Sequence, residues 1–225
     1  MAGKLYLVPT PIGNLKDMTF RAIETLNEVD LILAEDTRNS GKLLKHFNVS
    51  TSMRSYHAHN EHKLTEEIIR QLKEGKNFAL ITDAGSPGIS DPGYLLAKAC
   101  IENEVEICAL PGATALVPAL TVSGLISNEF VFVGFLPVKK GRQGKLKELK
   151  NEKRTLVFYE SPHKIIKTLK DLVDNFGAGR KASLSREISK KFEETLRGTL
   201  GELHETTEQR NLKGEMVLVV EGNSE

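Results

Sequence analysis

The densest chemistry in the chain lies in Asp83-Ala84-Gly85-Ser86-Pro87-Gly88-Ile89-Ser90-Asp91-Pro92-Gly93. Its glycines let a ligand approach the backbone with no Cβ in the way, and its prolines reduce the entropy lost in holding the loop still. The apolar run Phe78 to Ile81 precedes it and a helical pattern, Tyr94 to Ala99, follows. The loop therefore leaves the end of a strand, where open α/β sheets bind ligands. A long turn stiffened only for stability is the competing reading. Two carboxylates at other strand ends, Asp36 and Glu160, could take a proton from a hydroxyl, and Arg38 could hold a phosphate bidentately. Loop capping and ion pairing compete for the same groups. Pro111-Gly112 before a helix presents free backbone N–H groups, and Thr114 adds a hydroxyl, which suits an anion.

His57-x-His59-x-x-His62 is the one run with a metal-like look. Histidines at i and i+2 of a strand share a face, but His62 opens a helix and no Cys or close carboxylate completes a ligand set. No metal is expected; substrate-facing or loop hydrogen bonds are. His163 is placed in the first turn of a helix, where a neutral ring is favoured. Tyr56 and Tyr159, at strand exits, could stack on a base or pack in the core.

These residues need a scaffold of strands and helices in alternation. Lys4 to Val8, Asp30 to Ala34, Met53 to Asn60 with its exit loop, Phe78 to Ile81 and Val105 to Leu110 read as strands. Between them fall helices starting near Asp17 or Thr19, after Arg38, at Asn60, and at Asp91 with Pro92 in the first position. That alternation predicts a mostly parallel sheet covered on both faces, with four loops (9–14, 35–38, 83–91 and 111–115) opening on one edge. After a boundary between 112 and 128 the pattern changes. Strands at 130–136 and 155–159, a helix capped by Ser161 and Pro162, an antiparallel pair at 182–185 and 192–196, a helix at 199–209 and a strand at 216–220 predict a mixed sheet. The expected domains are 1–115 and 116–225, both α/β.

Bulk properties exclude several classes. The chain has 225 residues, 40% hydrophobic and 27% charged, which suits a globular protein of one or two domains. No apolar run approaches the roughly 20 residues of a membrane span. The N-terminus opens into a strand rather than a leader, and Cys100 and Cys108 read as packed thiols, so the cytoplasm is the expected compartment. Dinucleotide and nucleotide-triphosphate sites are disfavoured, because neither Gly-x-Gly-x-x-Gly nor a phosphate-loop Lys-Ser/Thr follows any strand. Net charge is +1, yet Lys139, Lys140, Arg142, Lys145, Lys147, Lys150, Lys153 and Arg154 face only Glu148 and Glu152. A basic segment on an otherwise acidic chain suits a polyanion partner, and equally suits a solvated linker helix.

Taken together and in order, Val8 to Leu15, Ala34 to Arg38, Ser55 to Asn60, Asp83 to Gly93, Pro111-Gly112, Gly134 to Pro137, Tyr159 to His163, Arg186-Glu187 and Lys213 to Glu215 resemble the tetrapyrrole-methylase superfamily, in its ribosomal RNA branch. The resemblance spans nearly the whole chain. It implies a homodimeric two-domain methyltransferase with S-adenosylmethionine in a cleft between the domains, acting on a cytidine ribose 2′-hydroxyl of 16S rRNA or the small ribosomal subunit. It places cofactor contacts at Ile12, at Asp83, Ala84, Gly85, Ser86 and Ile89, at Pro111, Thr114 and Ala115, and at Phe135, Leu136 and Glu187. Asp36 and Glu160 become the catalytic candidates, and Arg38, Lys139, Lys140, Arg142 and Lys145 the RNA contacts. Two departures stand out. Tetrapyrrole methylases carry a Gly-rich first loop and a shorter central loop, whereas Pro9-Thr10-Pro11 here favours the RNA branch. Many RNA-branch members also continue into a C-terminal helical module, while this sequence stops at Glu225. The rival readings are a small-molecule methylase of the same fold and a non-catalytic RNA-binding module.

Overall fold

Four-residue apolar runs separated by amphipathic stretches become the strands of a parallel sheet, as the alternation predicts. The computed structural model describes residues 2–223, in two compact units, one up to Thr114 and one from Ala115. The first unit holds β1 (Lys4–Leu7), β2 (Leu31–Ala34), β3 (Met53–Ser55), β4 (Phe78–Ile81) and β5 (Glu106–Ala109). Its helices are α1 (Phe20–Glu28), α2 (Thr37–His46), α3 (Glu61–Lys73) and α4 (Tyr94–Glu102). The sheet runs β3-β2-β4-β1-β5 with every pairing parallel.

Alternation along each strand divides the core in two. Ile32, Ala34, Ala79 and Ile81 pack with Ala22 and Leu26 of α1 and Leu44 of α2. Leu33, Phe78, Leu80 and Leu5 pack with Ile68 and Leu72 of α3 and Leu96 and Cys100 of α4. Each fully buried side chain of this size stabilises by about 1.5–3 kcal/mol relative to exposure, so both helical layers are firmly held. The order of strands also defines a switch point. The chain leaves β2 toward β3 through α2 on one face, and leaves β4 toward β5 through α4 on the other. Backbones diverge between the ends of β2 and β4, the place where such sheets form a ligand crevice.

The second unit contains α5 (Leu116–Ser123), β6 (Phe130–Gly134), α6 (Arg142–Leu149), β7 (Thr155–Glu160), α7 (Ile165–Phe176), β8 (Lys181–Arg186), β9 (Glu194–Thr199), α8 (Leu200–Arg210) and β10 (Met216–Val220). Its sheet order is β6-β7-β10-β8-β9, with β6 and β7 parallel and the other pairs antiparallel. The predicted mixed sheet is therefore present. α5 covers one face through Ala119 and Leu120, and α6, α7 and α8 cover the other. No helix among the described residues is long and apolar enough to cross a membrane.

Three local expectations are corrected. α4 starts at Tyr94, not Asp91, because the preceding loop closes on itself: the Gly88 amide donates to the Pro92 carbonyl at 3.1 Å, and Gly93 sits at φ 137°. β3 ends at Ser55, because Asn60 turns back and accepts from the His57 amide at 2.8 Å while donating to the Ser55 carbonyl. α7 starts at Ile165, after a turn in which the Ser161 carbonyl accepts from the amides of Lys164 and Ile165, so His163 precedes the helix. Elsewhere the caps fall where side-chain chemistry puts them. Thr19 accepts from the Ala22 amide at the start of α1, and Thr199 and Glu202 form a reciprocal capping box on α8.

Candidate active site

Loops from separate strands converge at the carboxyl edge of the parallel sheet. Thr10, just past β1, exchanges two backbone hydrogen bonds of 2.9 Å with Gly85, and its hydroxyl donates to the Thr82 carbonyl. Gly85 has φ 79°, a conformation open to glycine, and a Cβ built there would lie 3.7 Å from the Ile12 side chain and 4.0 Å from the Ala113 carbonyl. Gly112 lies against Pro9 so closely that a Cβ would come within 2.7 Å of the proline ring. The loops after β1, β4 and β5 are thus packed on one another, which brings Ile12, Gly85 and the Pro111–Thr114 segment together. Ala84, Ser86, Thr114 and Ala115 are half-buried, while Asp83, Ile89, Pro111 and Gly112 are exposed.

The fourth loop joins through its side chains. Asp83 receives a 3.2 Å hydrogen bond from the Asn39 amide group, and its own amide approaches a Glu35 carboxylate oxygen at 3.5 Å. Burial raises the pKa of Glu35 despite that amide. Asp91 is affected more. Burial, reinforced by the charges of Glu35 and Asp83, pushes its carboxyl up to about 6. Three carboxyls therefore gather at the β2/β4 switch point, one of them poised near neutrality. Sequence reading missed Asp91 as a functional candidate; the signal that finds it is the adjacency of β2 and β4.

Asp36 proves to be the N-cap of α2. Its oxygens accept from the Arg38 backbone amide at 2.9 Å and from the Arg38 guanidinium at 3.1 and 2.7 Å. Those bonds hold its carboxyl down at about 2, so it is a poor proton acceptor. Arg38 stays 87% exposed at the side chain and keeps its outer face open to solvent.

The histidine run does not form a strand face. His57 and His59 occupy the turn after β3, where the His59 amide donates to His57 Nδ1 at 3.3 Å. Tyr56 is fully buried, with its hydroxyl 3.2 Å from that of Thr65 and its pKa raised to about 12 by burial, so it packs in the core rather than stacking on a base. Tyr159 is half-buried and meets Phe132 and Phe135 edge-on at 5.0 and 5.8 Å.

In the second unit, Phe135 is 57% exposed, whereas Leu136 belongs to the core. Glu160 is buried, with one oxygen accepting from the Ser161 amide and the other from the Thr168 hydroxyl. Its role there is to close a buried network. Arg142, expected among the RNA contacts, is buried in the same network: it donates to Thr168 at 2.8 Å, to Asp171 at 2.7 Å and to the Pro137 carbonyl at 3.2 Å. The basic segment is a helix docked through Leu146 and Leu149, not a free linker. Lys139 and Lys140 remain exposed, while Lys145 reaches Glu148 at 2.8 Å. Glu187 is tied by one oxygen to Lys190 and to the Glu215 amide, both at 3.0 Å.

A parallel five-stranded unit with interlocked strand-end loops, followed by a mixed five-stranded unit, is the architecture of a known enzyme class. Residues 4–204 match the tetrapyrrole (corrin/porphyrin) methylases, and the chain belongs to that family. Within it, the chain is 51% identical to the ribosomal RNA small subunit methyltransferase I of Synechocystis sp., covering 98% of this chain and 79% of that protein. It is 50% identical to the protein of the same name from Halalkalibacterium halodurans, covering 99% and 77%. The fold is shared with the uroporphyrin-III C-methyltransferase of Thermus thermophilus, solved with S-adenyl homocysteine, at TM-score 0.67 and 18% identity over 97% of both chains.

Proposed function

We propose that this chain is an S-adenosylmethionine-dependent methyltransferase that modifies a cytidine ribose 2′-hydroxyl in 16S rRNA. The observation that carries the reading is the 51% identity, over 98% of the chain, to a protein named for methylating small-subunit rRNA. The strand-end loops fit the cofactor's chemistry. Ile12 and Ile89 offer apolar contact for an adenine, and the exposed backbone at Pro111 and Gly112 with the Thr114 hydroxyl suits polar and carboxylate ends. The candidate set is Ile12, Asp83, Ala84, Gly85, Ser86, Ile89, Pro111 and Thr114 in the first unit, and Ala115, Phe135, Leu136 and Glu187 in the second. Leu136 contributes through its backbone, since its side chain is in the core.

Bound there, the cofactor supplies an electrophilic methyl group on a sulfonium. The protein's task is to align the acceptor oxygen and take its proton as attack proceeds. Asp91 is the proton acceptor in this reading, because its carboxyl turns over near neutrality while Asp36 and Glu160 are held by their hydrogen bonds. Those two act as positioning groups, one fixing Arg38 and the start of α2, the other fixing the end of β7. Arg38, Lys139, Lys140 and Lys145 hold RNA phosphates. An rRNA substrate supports a cytoplasmic location. The exposed apolar side chains between Val117 and Val138 (among them Ile126, Phe130 and Phe135) support a homodimer.

Titration calorimetry with S-adenosylmethionine tests the donor site: saturable binding is expected, and a folded protein that shows none would be only a binding module. Reversing Lys139 and Lys140 to Glu is expected to weaken RNA binding and to lower the slope of log affinity against log salt by about 2. An unchanged slope would make the basic segment a solvated helix only.

A further inference from the structure

The crevice at the β2/β4 switch point opens on the α2 side into a groove of about 390 Å³, within the roughly 300–1,000 Å³ of small-ligand sites. Pro11, Leu15 and Leu43 give it an apolar lining, and Lys42 and His46 stand at its wall. α2 carries Arg38, Lys42, Lys45 and His46 and no acidic residue. Two further lining residues, Ser40 and Thr82, are 3% and 1% exposed, and their hydroxyl oxygens have no hydrogen-bond partner among the described residues. Buried hydroxyls are nearly always bonded, and neither oxygen is accessible as the side chains stand, so a rotation of each side chain toward the groove is what would bring it to polar atoms of a ligand. Asp83 also lines the groove and is the first residue of the proposed donor loop.

We propose that this groove seats one unpaired ribonucleotide of the RNA strand flanking the methylated residue. The base lies against Leu15 and Leu43, with an exocyclic amino group donating to Asp83. Ser40 and Thr82 bond its remaining polar edge or the ribose hydroxyls, and Lys42 and His46 hold the phosphate. A free phosphate would leave the apolar lining and Asp83 without function, and a purely apolar ligand would leave the cations and both hydroxyls unused. Because Asp83 belongs to both sites, a strand held here is registered against the donor loop. The inference rests on the rRNA reading above and assigns that substrate a second point of contact.

The test combines a direct titration with kinetics. Cytidine 5′-monophosphate, followed by amide chemical shifts, is expected to move Ser40, Lys42, Leu43 and Thr82, whereas inorganic phosphate alone leaves Leu43 and Thr82 in place. Lys42→Glu and Ser40→Ala are expected to raise KM for small ribosomal subunits about tenfold each, a loss typical of one polar contact, with kcat and S-adenosylmethionine affinity unchanged. Ser40→Ala should melt no lower than the wild type, since it removes an unpartnered buried hydroxyl. Phosphate reproducing the nucleotide's shifts would overturn the inference, as would shifts that bypass the groove. An unchanged KM in both variants overturns it whatever the nucleotide does. If the wild type methylates no RNA, the proposed function fails, and the titration still decides whether the groove binds a nucleotide.

Discussion

Replacing Arg142 by alanine is expected to destabilise the second unit by about 3–5 kcal/mol, the cost of removing one partner from a buried ion pair. The guanidinium and the Asp171 carboxylate are 7% and 17% exposed, and the same guanidinium also bonds Thr168, itself the donor to Glu160. Its loss leaves Asp171 charged and unpaired and breaks the link between the start of α6 and the middle of α7. Domains are stable by only about 5–15 kcal/mol, so thermal melting should show a large drop or an unfolded unit. Arg142→Lys should rescue little, because an ammonium cannot reproduce the three-way fork. By contrast, Lys139→Glu should change stability by no more than about 0.5 kcal/mol. Equal melting temperatures for Arg142→Ala and Lys139→Glu would return Arg142 to the surface.

Asp91→Asn should separate stability from activity. The folded carboxyl titrates at about 6 against an unperturbed 3.8, so the folded state binds this proton more tightly than the unfolded chain does. The stability contributed by Asp91 is therefore full below about pH 4 and lost as pH rises through about 6. At neutral pH the ionised group costs on the order of 1 kcal/mol once solvent screening at this half-exposed position is allowed for, and the amide removes that cost. Asp91→Asn should be the more stable protein at pH 7, with the difference vanishing near pH 4, as read by denaturant unfolding across pH. Its methyl-transfer rate should fall by about 10²–10⁴-fold, the usual contribution of a positioned proton acceptor. An unchanged rate would reassign Asp91 to a structural role, and a stability difference independent of pH would remove the claim that its carboxyl is strained.

What could be read from the sequence was local. Leu5, Ile32 and Leu80 sit in short apolar runs, and Thr19 carries the hydroxyl that caps α1, so these elements and that cap followed from neighbours along the chain. The strand-end loop from Asp83 was likewise visible, because glycine and proline act where they stand. Features set by pairing across the fold were not. Asp91 looked like a helix cap until β2 and β4 proved adjacent, which places Glu35 and Asp83 beside it. Arg142 counted as one more surface charge because its partner, Asp171, lies on another helix. Asp36 was within reach: an Asp immediately before a helix, with Arg38 two residues on, is a cap signature. The unpartnered Ser40 and Thr82 hydroxyls carry no sequence signal.

The most direct measurement follows the methyl group. The protein is incubated with methyl-labelled S-adenosylmethionine and, in parallel, small ribosomal subunits or uroporphyrinogen, and the labelled RNA is hydrolysed in alkali. Label is expected in the RNA and in a dinucleotide that alkali cannot cleave, because a methylated 2′-oxygen cannot attack the neighbouring phosphate. Label confined to the tetrapyrrole, or RNA label released as mononucleotides, would contradict a ribose 2′-hydroxyl of small-subunit rRNA as the acceptor.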